Sequence, residues 1–381
     1  MKDFDPSMES GMTSSNDDLG RYLSMMVAQG ASDLFISAGS AIALKIQGVV
    51  RRIDEAPLDA VQTQRLAYSV MRESQIREFE ANFECDLAIA LPGMGRFRVN
   101  VFRQRGDVAV VVRHVSGKIP SIENLKLPPV LKKLAMLKRG LILVVGAAGS
   151  GKSTTLASML DHRNRSAAGH ILTVEDPMEF EHSHGLSIID QREVGLDTKS
   201  FDEALRHAMR EAPDVIMIGE IRDRATMQHA LAYAETGHLC VSTLHANNAN
   251  QAIQRILNFF PETAHKQVLM DLSLNLKGVV GQRLIRSTAG PLVPAVEVML
   301  LSSYVADLIQ KGQTDDIKDA MAKSNEMGMC TFDQSLYDLY LRGELTAEQA
   351  VEYADSRTDL SLRIRLHSHQ RPDTGGLRMA G

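Results

Sequence analysis

Hydrophobic and polar residues alternate along the first third of the chain. After Gly30, the segments DLFIS, IALKIQGVV and RFRVNVFRQRGDVAVVVRHV show the period of two that is typical of strands with one buried face. Residues 19–28 and 59–82 have helical spacing instead. The pattern predicts an α+β domain over residues 18–116.

Beyond residue 129 the apolar segments are continuous and are separated by segments with helical spacing. The predicted strands are LILVV (141–145), HILTVED (170–176), DVIMIG (214–219) and HLCVSTL (238–244), and the helices that follow them are 152–162, 201–211, 225–235 and 250–260. Continuous apolar strands that alternate with helices are typical of a parallel sheet covered on both faces. We therefore predict an α/β domain over residues 130–356, which ends in a strand after Pro291 and several short helices.

The remaining segments do not favour regular structure. Residues 117–129 contain Pro120, Pro128 and Pro129, which predicts a linker between the two domains. Residues 1–17 are polar and acidic, and we expect a disordered tail there. Residues 357–381 carry five arginines against two aspartates, so a basic flexible tail is expected at the other end.

Composition excludes several classes of protein. With 42 Lys+Arg against 47 Asp+Glu, the net charge is −5, and aromatic residues make up only 5% of the chain, so nothing favours a general nucleic-acid surface. Three scattered cysteines form neither a disulfide framework nor a cysteine-built zinc site. The longest apolar stretch is about half of a membrane span, and the first residues lack the apolar core of a signal peptide. We expect a cytoplasmic protein.

A glycine-rich loop joins the strand at 141–145 to the next helix and matches GxxxxGK[ST] in its required setting. Glycines let successive backbone N–H groups point at phosphate oxygens, and the positive end of the helix adds to the attraction. We expect Lys152 to reach the β- and γ-phosphates and the Ser153 hydroxyl to bind Mg²⁺. The predicted nucleotide-binding residues are Gly146, Ala147, Ala148, Gly149, Ser150, Gly151, Lys152, Ser153 and Thr154.

Acidic residues follow two of the predicted parallel strands. Glu220 directly follows the strand at 214–219, and Glu175, Asp176 and Glu179 follow the apolar run HILTV, residues 170–174. Ligands of open α/β sheets bind outside the carboxyl ends of the strands, so we expect these carboxylates beside the phosphate loop. Hydrolysis needs one carboxylate at Mg²⁺ and another that orients the attacking water.

Histidines and arginines provide further candidates. His238 and His245 bracket one strand and lie too far apart to bind a metal together. His245, at the carboxyl end, is placed to hydrogen-bond phosphate, although either histidine taken alone fits a structural role. Five arginines crowd one predicted hairpin of the first domain: Arg96, Arg98, Arg103, Arg105 and Arg113. They form either a solvated sheet face or arginine fingers that reach a nucleotide held by another subunit.

Four motifs, in order and spacing, resemble those of the hexameric secretion and pilus ATPases, and within them the type IV pilus retraction ATPases of the PilT/PilU kind. They read GAAGSGKSTT (Walker A), ILTVEDPMEFEH (aspartate box), DVIMIGEIRD (Walker B) and TGHLCVSTLHANNA (histidine box). The resemblance covers roughly residues 19–310. It implies a PAS-like N-terminal domain and a RecA-like ATPase domain with C-terminal helices, assembled as a homo-hexamer.

The resemblance also implies roles for individual side chains. Glu179 would be the catalytic glutamate that polarises water, and Glu220 the Walker B acid that acts at Mg²⁺. His238 and His245 would be the pair in the histidine box. Arg98 and Arg113 would be the pair of arginines that contacts the triphosphate from the N-terminal domain.

By the same resemblance, ATP hydrolysis turns an inner-membrane platform protein that removes pilin subunits from the fibre. The stretch at residues 303–309 lacks the arginine and asparagine of the AIRNLI motif of PilT, and the chain is longer at its C-terminus. Both features resemble PilU, which assists a PilT-type motor. We expect a protein that drives or assists pilus retraction and twitching motility and contacts the inner membrane only through the platform protein.

Two alternatives stay open at this stage. One is a nucleotide-binding structural subunit of the retraction motor that does not hydrolyse ATP, against which the presence of Lys152, Glu179 and Glu220 counts. The other is a conjugation-type ATPase that moves nucleic acid, against which low aromatic content and net negative charge count.

Overall fold

The computed structural model describes residues 17–370 except 47, 55, 325 and 326. These residues form two compact units. The first takes in the chain up to Lys118 together with Glu179–Glu181, and the second takes in Ile119–Met178 and the chain from His182 onwards. Of the tails predicted at 1–17 and 357–381, residues 1–16 and 371–381 lie outside the described residues.

The first unit is built on one antiparallel sheet of six strands in the order β3-β2-β1-β6-β5-β4. Its elements are α1 (Asp17–Ala28), β1 (Asp33–Ser37), β2 (Ala43–Ile46), β3 (Val49–Arg52), α2 (Ala60–Tyr68), α3 (Glu73–Asn82), β4 (Glu84–Leu91), β5 (Gly95–Gln104) and β6 (Asp107–Val115). Alternation places Phe97, Val99 and Val101 of β5 in the core. The α+β architecture predicted for this part of the chain is confirmed.

One predicted helical stretch of this unit is divided in the structure. Residues 59–82 form α2 and α3, separated at Ser69–Arg72. Asp59 begins α2 as the N-cap of a capping box, in which its side chain accepts from the Gln62 amide. Hydrophobic spacing alone did not reveal the break because both helices turn apolar residues toward the same core.

The second unit is built on a seven-stranded sheet in the order β13-β12-β7-β11-β10-β8-β9. Its strands are β7 (Gly140–Val145), β8 (Gly169–Glu175), β9 (Ser187–Glu193), β10 (Val215–Ile218), β11 (Leu239–Leu244), β12 (Leu276–Arg286) and β13 (Leu292–Leu300). All neighbouring pairs are parallel except β12 with β13. The central strands β7, β10 and β11 are buried along their whole length, which confirms a parallel sheet covered on both faces.

Eleven α-helices are described in the second unit: α4 (Val130–Ala135), α5 (Lys152–Ser166), α6 (Phe201–Ala208), α7 (Arg224–Glu235), α8 (Ala249–Leu257), α9 (His265–Asn275), α10 (Ser303–Lys311), α11 (Ile317–Ala322), α12 (Phe332–Leu341), α13 (Ala347–Glu352) and α14 (Arg357–Gln370), the last of which lies beyond the predicted domain. Within the described part of the chain, no helix is both long and apolar enough to cross a membrane.

In the second unit, sequence patterns missed strands β9 and β12 and helices α4 and α9. Strand β9 lies at the edge of the sheet and has exposed residues at alternate positions, so it lacks the continuous apolar run of its neighbours. Strand β12 begins at Leu276, directly after α9 ends at Asn275, and no turn residues mark the change.

The predicted linker and the predicted basic tail also differ from the structure. Ile122 and Leu127 are buried with α4 in a core of the second unit, so most of the segment 117–129 packs as part of that unit. The expectation of flexibility from residue 357 is wrong for residues 357–370, which form α14. Its Leu360 and Ile364 are buried in a fourth apolar cluster, and that burial stabilises a helix whose charge pattern suggested a tail.

Candidate nucleotide-binding site

The glycine-rich loop joins β7 to α5, as the sequence predicts. Gly149 and Gly151 have φ values of 74° and 87°, in the left-handed region that favours glycine. A Cβ at Gly146 would lie 2.4 Å from Ser150 Oγ and 2.5 Å from the Gln282 carbonyl oxygen. Glycine is therefore required at the start of the loop for space and at its end for backbone conformation.

Polar groups inside this loop suit an anion. Lys152 Nζ donates to the carbonyl oxygens of Gly146 and Ala147 at 3.0 and 2.9 Å. Burial lowers the pKa of Lys152, whereas the negative charge of Glu220 acts in the opposite direction. The buried Ser150 hydroxyl has no hydrogen-bond partner among the described residues. A phosphate would give the lysine a charged partner and bring an acceptor to the loop, so these residues fit a nucleotide.

Gln282 on β12 belongs to the same site, although no sequence motif marked it. Its Oε1 accepts from the buried Thr155 hydroxyl at 2.6 Å, and its Nε2 would lie 2.7 Å from a Cβ at Gly151. Its carbonyl oxygen also faces Gly146. Strand β12, which sequence patterns missed, therefore packs against both ends of the phosphate loop.

Carboxyl ends of the parallel strands bring three further groups together. Glu220 follows β10, and its Oε1 lies 3.2 Å from His245 Nε2 beyond the end of β11. Arg222 donates to Glu220 Oε2 at 3.0 Å and lies 3.6 Å from Asp176. The negative charge of Glu220 works against the lowering of the Lys152 pKa by burial, so this cluster interacts electrostatically with the phosphate loop. The expectation that Glu220 and His245 share the edge of the sheet is thus confirmed by their placement.

Glu175 and Glu179, two of the three glutamates in the aspartate box, have different surroundings. Glu175 is buried at the end of β8, where it accepts from Thr173 Oγ1 at 2.8 Å and from Gln191 Nε2 at 3.1 Å. Glu179 is exposed and belongs to the first unit, in a segment whose Glu181 amide donates to the Ser116 carbonyl oxygen. Glu175 is therefore held as a structural group, and Glu179 has the free carboxylate.

His238 lies at the other end of β11 from His245. Its carbonyl oxygen accepts from the Gly140 amide at the start of β7, and its Nδ1 lies 3.2 Å from Thr236 Oγ1. The length of the strand keeps the two histidines apart within this chain, as the sequence indicated, and His238 stays a predicted member of the histidine-box pair. The backbone of His238 thus pairs with the start of β7, and its ring lies at the opposite end of β11 from Glu220.

Arg98 and Arg113 lie directly opposite each other on β5 and β6 of the first unit. The register continues to β1, where Asp33 stands opposite Arg113 and accepts from its Nε at 2.9 Å. Asp33 is buried, whereas Arg113 is 55% exposed. The register brings two guanidinium groups together on one pair of strands, which makes the pair a candidate for binding an anion.

A cavity of about 570 Å³ lies in the second unit beside the phosphate loop. Gly151, Thr154 and Thr155 line one side, and Leu284 and Pro294 line another. Among the described residues, no group of three or more His, Cys, Asp or Glu side chains is arranged to hold a metal ion.

Known proteins match this chain over most of its length. Residues 10–329 match the family model of the type II/IV secretion system proteins. The type IV pilus ATPase PilU of Pseudomonas aeruginosa is 52% identical over 93% of both chains, and the type IV pilus retractation ATPase PilT of the same organism is 41% identical over 88% of this chain and 98% of its own.

Solved structures agree with these relatives. The crystal structure of the pilus retraction motor PilT with bound ADP has a TM-score of 0.84 and 41% identity over 90% of this chain and 98% of its own. That structure shares the two-domain α/β architecture described above. The chain belongs to the type II/IV secretion system protein family.

Proposed function

We propose that this chain is an ATP-hydrolysing motor of the type IV pilus machine, of the PilU kind, which drives or assists pilus retraction. The observation that carries the proposal is the meeting of Glu220 and His245 at the same edge of the sheet as the phosphate loop, with Lys152 buried inside that loop. The relatives named for pilus ATPase and retraction activity support it.

The phosphate loop would bind ATP. Backbone N–H groups at residues 149–154 would cradle the phosphates, and Lys152 would exchange its two carbonyl partners for phosphate oxygens. The cavity beside Thr154 adjoins the helix end that takes the α-phosphate, so we propose that it holds the nucleoside.

Ser153 and Glu220 would hold Mg²⁺, which supplies charge neutralisation at the β- and γ-phosphates. Both residues present oxygen atoms, which are the ligands that this ion prefers. His245 would donate a hydrogen bond to the γ-phosphate while its contact with Glu220 fixes the ring. Glu179, whose carboxylate is exposed, would orient the attacking water.

Arg98 and Arg113 would bind the triphosphate from the first unit. Arg113 is exposed, Arg98 is partly exposed, and the two stand opposite each other on neighbouring strands, so one phosphate could accept from both guanidinium groups. Asp33 holds Arg113 in a fixed direction.

We further propose a PAS-like fold for the first unit, a RecA-like fold for the second, and a cytoplasmic homo-hexamer that acts with a PilT-type ATPase and the inner-membrane platform protein. Nucleic acid is not expected to bind, because net charge is −5 and aromatic residues are few.

A direct test measures phosphate release from ATP with Mg²⁺ by the full chain. Lys152→Ala is expected to abolish both nucleotide binding and turnover, whereas Glu179→Gln is expected to bind ATP and fail to hydrolyse it. A wild-type protein that binds ATP and releases no phosphate would instead support the structural-subunit alternative. Stimulation of hydrolysis by DNA, with salt-dependent DNA binding, would support the translocase alternative.

A cellular test uses deletion strains with and without the PilT-type partner, scored for fibre retraction. We expect the chain to restore full retraction only when the partner is present. Recovery of retraction by this chain alone would contradict the accessory role.

A further inference from the structure

A buried carboxylate lies in the middle of strand β13, away from the groups assigned above. Glu297 is only 3% exposed, and its Oε1 accepts a hydrogen bond of 2.7 Å from the backbone amide of Ala249. Ala249 is the first residue of α8 and is itself 1% exposed. The first amides of a helix have no partner within the helix, so Glu297 satisfies a donor that would otherwise be buried alone.

The start of α8 is thus held by two different acceptors. Asn248 is the local N-cap, and its side chain accepts from the Gln251 amide at 2.9 Å. Glu297 comes from 48 residues further along the chain and takes the Ala249 amide. The helix begins four residues after His245, whose ring contacts Glu220. The loop between the ring and the helix is therefore anchored at one end by the Glu297 carboxylate.

The strand register relates Glu297 to the phosphate loop as well. Gly281 of β12 stands opposite Glu297 on one side and opposite Val145, which precedes Gly146, on the other. A Cβ at Gly281 would lie 2.9 Å from the Phe332 ring and 3.2 Å from Glu297 Cβ. Because this row is so closely packed, the Glu297 side chain has little freedom to leave the end of α8.

Charged groups from three other elements face this carboxylate. Burial raises the pKa of Glu297 to about 7; the Ala249 amide opposes that rise, Asp355 adds to it, and Arg283 and Lys318 oppose it. Arg283 is itself paired with Asp355 at 2.6 Å, and Lys318 with Asp333 and Asp355. The cations around Glu297 thus have carboxylates of their own, and the bond that Glu297 makes is the one to α8.

We propose that Glu297 is a positioning residue for ATP hydrolysis, which holds the start of α8 and hence the His245 loop against Glu220 by accepting from the Ala249 amide. This inference rests on the proposed ATPase activity. Glu297 is buried and is not one of the residues proposed to bind the nucleotide, so its loss should lower turnover and leave the affinity of the phosphate loop for ATP unchanged.

The test compares two substitutions of Glu297 in the full chain. Glu297→Gln keeps an oxygen acceptor and is expected to retain kcat within about twofold, whereas Glu297→Met keeps the length, removes the acceptor and is expected to lower kcat about tenfold or more. Binding of a fluorescent ATP analogue should change by less than about twofold in both variants. Ser302→Ala is the matched control, because Ser302 caps the equally long helix α10 by accepting from the Val305 amide.

Amide exchange without nucleotide separates this inference from the proposed function. Peptides covering 244–252 should exchange faster in Glu297→Met than in the wild type or Glu297→Gln, and Ser302→Ala should change only peptides near 302–308. Unchanged exchange at 244–252 in Glu297→Met would overturn the inference whether or not the chain hydrolyses ATP. So would equal losses of kcat in both Glu297 variants, or a loss in Ser302→Ala that matches that of Glu297→Met.

Discussion

The two sheets of this protein place their candidate chemistry in different ways. In the second unit the parallel strands end at one edge, and Glu220 and His245 meet there although 25 residues separate them in sequence. In the first unit the strands are antiparallel, and Arg98 and Arg113 meet in the middle of a face because the register sets them opposite each other.

This difference has a physical origin. Parallel strands joined by helices all run the same way, so every group that follows a strand is delivered to the same edge. Antiparallel strands alternate in direction, so a group is placed by its distance from the turn and by which face its position selects. The order of strands along the chain predicts a site at the edge of a parallel sheet. A site on the face of an antiparallel sheet is revealed only by which residues of neighbouring strands are paired.

The largest effect is expected at the edge of the parallel sheet. Glu220→Gln should lower kcat about 10²- to 10³-fold, because a charged group beside the phosphates is replaced by a neutral one of the same shape. Phosphate release with Mg²⁺-ATP measures the effect, and thermal unfolding checks that the variant folds. A fall smaller than about threefold would contradict an edge site that depends on this carboxylate.

A second prediction concerns the single antiparallel strand of that sheet. The unfolded pKa of Glu297 is near 4.5 and the folded pKa is about 7, so the folded state holds the proton more tightly. Its contribution to the free energy of unfolding is full below about pH 4.5 and is lost as pH rises through 7, by about 3 kcal/mol at most. Denaturant titrations from pH 5 to 8 should show this loss in the wild type and much less of it in Glu297→Gln. Identical pH profiles would contradict the burial of this carboxyl in the folded state.

A third prediction uses the two ends of β11. His245→Ala should lower kcat about 10- to 100-fold, because the group that contacts Glu220 is removed. His238→Ala, at the other end of the same strand, is the matched control and should leave kcat within about twofold while lowering the melting temperature slightly. Equal losses of turnover would mean that His238 also acts at the nucleotide, contrary to its placement in the chain.

The smallest effects are expected on the antiparallel sheet of the first unit. Arg98→Ala and Arg113→Ala should each lower kcat about tenfold by removing a cation from the triphosphate. Arg113→Ala should also lower the free energy of unfolding, by about 1 kcal/mol, because it leaves the buried Asp33 carboxylate short of a partner. If neither change alters kcat, the two arginines are part of a solvated sheet face, and the sheet of the first unit has no role in ATP hydrolysis.

Much of the second unit could be predicted because its signals are local. The continuous apolar strands and the phosphate loop stand next to each other in sequence, and Lys152, Glu220 and His245 follow them directly. Gln282 and Glu297 could not be found in this way. They lie within strands, and what marks them is contact with Thr155 and Ala249, residues more than 40 positions away.

Sequence by itself determined the two-part organisation, the mostly parallel sheet, the phosphate loop and its family, since each depends on residue types at short spacing. Tertiary structure alone decided that His245 comes within 3.2 Å of Glu220, which glutamate of the aspartate box is buried, and that residues 357–370 fold as α14. The reason is that burial and long-range pairing depend on residues that pack together from distant parts of the chain, and local composition does not identify those residues.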